Sequence, residues 1–181
     1  MQELPAHSLA GWESFYVIVG SSAAALTGLQ FLVVAFVADR RERISERTLS
    51  AFSTPAIIHF CVVLFIASTL SAPWHRATMV IIPLVAIALA GVLYIVRVWH
   101  RMRTQHDYEP VLEDWLWNVA LPLFAYSALF IVALMLKVHE EVALFVVAGV
   151  SMLLMYIGIH SAWDTVTYIA SQQDRKPADA A

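Results

Sequence analysis

The fold class this sequence predicts is all-α: an integral membrane bundle of five transmembrane helices, N-terminus outside and C-terminus cytoplasmic. Three observations predict it: an apolar composition, five stretches long enough to span a bilayer, and basic residues placed on one side. Of the 181 residues, 60% are hydrophobic and 14% charged, and the mean hydropathy is +0.71. A soluble domain is about 45–50% apolar and about 25% charged. The net charge of -3 and the lack of a long basic run speak against a nucleic-acid partner.

A spanning helix needs roughly 20 apolar residues. The first stretch is 15–38. Arg40, the first basic residue, follows it, whereas a cleaved secretory signal opens with positive charge, so this segment is expected to stay in the mature protein. Within it Gly20, Ala24 and Gly28 recur every fourth residue on one face, flanked by Ser21 and Ala25. Small residues let helices in lipid approach closely, so this face predicts a helix-packing contact, within the chain or with a second subunit. A smooth wall along a substrate path is the alternative.

The second stretch is 51–72, with Pro55 expected in its first turn, where proline is harmless. It carries the lone cysteine, Cys61, which excludes an intramolecular disulfide and is expected to pack as a small hydrophobe. Pro73-Trp74-His75-Arg76 leads into the third stretch, 78–99, and so short a link predicts an antiparallel hairpin. The fourth is 115–136 and the fifth 142–169, again closely joined. Pro83 and Pro122 each free a backbone carbonyl and predict kinks. The fifth stretch exceeds the hydrocarbon thickness and is expected to tilt or emerge from it. Residues 1–170 thus form one membrane-embedded domain, and 171–181 a disordered cytoplasmic tail. Residues 39–47 are expected to be a solvated extension of the first helix, and Tyr108-Glu109-Pro110 breaks any helix between the third and fourth spans.

The basic residues orient the bundle. Arg40, Arg41, Arg43, Arg47, Arg97, Arg101, Arg103, Arg175 and Lys176 all fall on one side if the spans number five, and only Arg76 and Lys137 fall on the other. Cytoplasmic loops carry the excess of Lys and Arg. The tryptophans agree: Trp12, Trp74, Trp99, Trp115, Trp117 and Trp163 sit at or near span ends, where amphipathic rings favour the headgroups.

Polar residues inside the spans are the candidates for function, because a polar group in hydrocarbon is costly and faces the bundle interior. They are Gln30, His59, Asn118, His160 and Asp164, with Tyr94 and Tyr156. At about 1.5 Å per residue, Gln30 and His59 both lie roughly 12 Å below the cytoplasmic surface. Tyr156, His160 and Asp164 recur every fourth residue on one helix face. An Asp one turn from a His can hold its ring and set its tautomer. His160 with Asp164 therefore reads as a proton-responsive pair, and the others as the lining of a cavity open to the cytoplasm. The structural alternative is a closed interhelical hydrogen-bond cluster.

No HExxH, GxGxxG, P-loop, CxxC or GxSxG motif occurs, which weighs against an enzyme. There is neither a voltage-sensor arginine repeat nor a TVGYG-like filter. The expectation is a transporter or channel for an ion or small solute, assembled as a homo-oligomer, in a bacterial cytoplasmic (inner) membrane. A non-catalytic scaffold or regulator of another membrane protein is the runner-up. A metal- or haem-binding protein using His59, His160 or Asp164 is the third reading; otherwise no cofactor is expected.

Overall fold

The computed structural model describes residues 11–39, 46–74, 76–104 and 112–174. These residues are almost entirely helical, with no strand among them. Helix α1 is Glu13–Asp39, α2 is Glu46–Ser71, α3 is Ala77–Thr104 and α5 is Glu140–Asp174. Helix α4 runs in three pieces: Leu112–Trp115 (α), Leu116–Ala120 (π) and Leu121–Met135 (α). Each predicted stretch lies within one of these helices, give or take a residue at the end of α2 and α4. The last helix runs further than expected, because it continues through 171–174, where the sequence reading began the tail. Residues 40–45 and 105–111 and those beyond 174, on which the expected helix extension, the break at Tyr108-Glu109-Pro110 and most of the expected tail fall, lie outside the described residues.

Four segments are long and apolar enough to cross a membrane: Glu13–Phe36, Thr78–Thr104, Leu112–Met135 and Glu140–Thr167. In α2 the apolar stretch among the described residues is shorter, Pro55–Ser71. The surface suits the same solvent. Phe36 and Phe124 are each 66% exposed, and Ile18, Phe31, Ile82 and Phe145 also point outward. In water such a continuous apolar exterior would be an aggregation hazard; in lipid it is the favourable arrangement.

The helices pack in the order α1, α2, α5, α4, α3, each lying chiefly on the next. Helices α2 and α3 touch only lightly despite their short connection. The predicted hairpin is thus made by connection rather than by packing, and close approaches elsewhere supply the reason. A Cβ on Gly158 would come within 2.6 Å of Phe60, so α2 and α5 meet where the Phe60 ring lies on bare α5 backbone. On the other side, a Cβ on Gly91 would overlap the ring of Tyr126, which draws α3 onto α4.

The small-residue face of α1 divides. Gly20 is buried, and a Cβ there would stand 2.9 Å from that of Ala67 in α2. Ala24 is exposed, and nothing lies within 4 Å of a Cβ on Gly28. Each step of four residues advances about 40° round a helix of 3.6 residues per turn. Over eight residues this carries Gly28 off the face that buries Tyr16, Val19, Ala23 and Gln30.

The prolines also differ from expectation. Pro55 is not in the first turn, because α2 already begins at Glu46. At Pro122 the break takes the form of a π-turn, in which the Leu121 N–H donates to Leu116 O. Proline cannot donate to the carbonyl four residues back, so the helix relaxes just before it.

Candidate functional site

The expected polar residues fall into two groups. The inner one is built on His59, which is 2% exposed. Its Nδ1 lies 2.9 Å from the hydroxyl of Tyr126, itself fully buried. With the imidazole proton on Nε2, Tyr126 O–H donates to Nδ1; with the proton on Nδ1, the ring donates to the phenol oxygen. Tyr94 of α3 stands edge-on to His59, ring centroids 6.4 Å apart. Gly91, one turn before Tyr94, clears the space that the Tyr126 ring fills. Phe60, the next residue after His59, seals the α5 side against Gly158. Three helices thus bring an imidazole and two phenols together inside the core, and a fourth closes it.

The outer group joins the start of α4 to the later part of α5. The rings of Trp117 and His160 stack, centroids 3.8 Å apart and planes 11° from parallel. Nδ1 of His160 lies 3.1 Å from Asp164 Oδ2. This is an ion-pair distance without hydrogen-bond alignment, and Nδ1 has no hydrogen-bond partner. The indole face, rather than the carboxylate, therefore sets the plane of the ring. Tyr156 is exposed, with its ring 5.5 Å from Trp117. Asn118 turns its amide back to donate to Asp114 O at 3.1 Å, so its polarity serves its own helix.

Gln30 is 3% exposed, and its Nε2 has no partner. The Tyr16 hydroxyl, on the same face of α1, is likewise buried and unpaired. Six serine and threonine hydroxyls of the spans are satisfied locally: Ser22, Thr27, Ser68, Thr69, Ser151 and Thr165 each donate to the carbonyl four residues back. A hydroxyl bonded in this way spends its donor on its own helix.

Two participants escaped the sequence reading. Tyr126 lies mid-span among apolar residues, and a phenol there was a legible signal, since a buried hydroxyl seeks a partner. Trp117 read as one of the interfacial tryptophans, and nothing in its spacing pointed to His160. Among the described residues no group of three His, Cys, Asp or Glu could hold a metal ion. His59 lies between two phenols, whereas His160 lies on an indole.

Fold and site together define a helical chain whose several long apolar helices are compatible with membrane insertion. No protein-family model, curated protein or solved structure matches it.

Proposed function

We propose that the chain is an integral membrane protein of five spans that passes an ion or small solute across the bilayer. The observation that carries this reading is the hydrogen bond between His59 and Tyr126 in the bundle core, with Tyr94 beside it. Ionisable groups are rare inside membrane helices and, where they occur, mark ion or proton paths by default. A neutral imidazole bonded to a phenol can exchange the direction of its hydrogen bond, which is what proton transfer requires. The nine-to-two distribution of basic residues supports a cytoplasmic C-terminus. The open Gly28 face offers a surface for a second copy, which supports a homo-oligomer as the working unit.

The test is flux into liposomes containing the purified protein and a pH-sensitive dye, under an imposed potential, followed by sodium, potassium and chloride. Flux above that of empty vesicles, sharply reduced by His59→Ala and Tyr126→Phe, is the expected result. No flux for any of these ions, or full flux in both variants, would sink the proposal. The outward, uncovered Ala24 and Gly28 favour one alternative, a scaffold for another membrane protein. In that case Gly28→Leu abolishes function and the His59 variant does not.

A further inference from the structure

We propose that Trp117, His160 and Asp164 form a pH-sensitive latch between the start of α4 and the later part of α5, set by the π-turn of α4. The proposal does not rest on transport, because its readout is the ring stack itself.

The stack and the π-turn depend on each other. Trp117 lies within the π segment Leu116–Ala120. A π-turn inserts one residue into the helix, and one residue is about 100° of rotation at 3.6 residues per turn. In an uninterrupted α register, Trp117 would point about that far away from its present direction relative to the rest of α4. The indole then could not lie on His160. Pro122 supports the π form, because it cannot donate to Asn118 O as an α-helix demands. The side-chain contact thus belongs to the π register.

His160 is the group that can bias it. It lies about two turns inside the end of the apolar segment Glu140–Thr167, toward the headgroup level, and its side chain is 24% exposed. Neutral, the ring holds Trp117 by stacking alone. Protonated, it places a cation against an indole face and an ion pair on Asp164. The acidic group in contact with it is Asp164, on its own helix. The short opening segment of α4 carries Glu113 and Asp114, and α3, which packs on the π segment, carries Arg97, His100 and Arg101. The described side chains of α2 bring only His59 and Cys61 as ionisable groups. Helix α1 meets α5 at the opposite end, through Trp12 and Phe145. The contact is therefore tighter when the imidazole carries its proton than when it does not.

The test is a fluorescence titration of the full chain in lipid nanodiscs between about pH 5 and pH 8. A protonated imidazole stacked on an indole quenches its emission. The wild type is expected to lose tryptophan emission on acidification, and both His160→Gln and Trp117→Phe are expected to lose that pH-dependent component. His160→Phe keeps an aromatic ring in the stack without a titrating nitrogen, and stands in should the Gln variant not fold. Acid quenching that is unchanged in the His160 variants, or that persists in Trp117→Phe, overturns the latch.

Discussion

His59 and Tyr126 are 67 residues apart in the chain, yet Nδ1 and the phenol oxygen meet at 2.9 Å in the bundle core. The contact ties α2 to α4, although α2 packs chiefly on α1 and α5. It exists because Gly91 leaves room for the Tyr126 ring against α3.

Tyr126→Phe removes the hydroxyl and leaves His59 Nδ1 buried without that partner. The expected loss is about 1–3 kcal/mol, the usual cost of stranding a buried polar group. Reversible unfolding in mixed micelles measures it. A loss below about 0.5 kcal/mol would mean that the imidazole finds another partner.

The glycines should separate chain stability from assembly. Gly158→Leu forces a side chain into the Phe60 ring and is expected to cost about 1–3 kcal/mol or more, as overpacking does. Gly28→Leu meets open space and should stay within about 0.5 kcal/mol. If Gly28→Leu also dissociates a wild-type oligomer in native mass spectrometry, the outer face of α1 is the subunit contact. An unchanged oligomer places that contact elsewhere.

Asn118 should prove local. Its amide donates to Asp114 O, and Asn118→Ala is expected to cost about 0.5–1.5 kcal/mol, the worth of one hydrogen bond. Liposome flux should not change. A large fall in flux at unchanged stability would return Asn118 to the path.

Five spans put the termini on opposite sides of the membrane, whereas four would put them on the same side. In a Cys61→Ser background, an impermeant maleimide should label Ser8→Cys on intact cells. Ala178→Cys should be labelled only after permeabilisation. Equal labelling of both on intact cells would remove one span.

The sequence by itself determined the helices and the solvent that suits them. Runs of about 20 apolar residues can satisfy their backbone in lipid only as helices, so their length and number are local properties of the chain. The small residues of α1 and the deep polar positions were legible for the same reason. Tertiary structure alone decided helix rotation and neighbour choice. Nearly uniform apolar spans carry little angular signal, so spacing could not show that Gly20 turns inward on Ala67 while Gly28 turns outward. Nor could it show which polar groups would meet. His59 found Tyr126 on α4, and His160 found Trp117, rather than either joining one common cluster. Those pairings depend on two packing events: glycines that admit whole rings, and a π-turn that swings one indole round its helix.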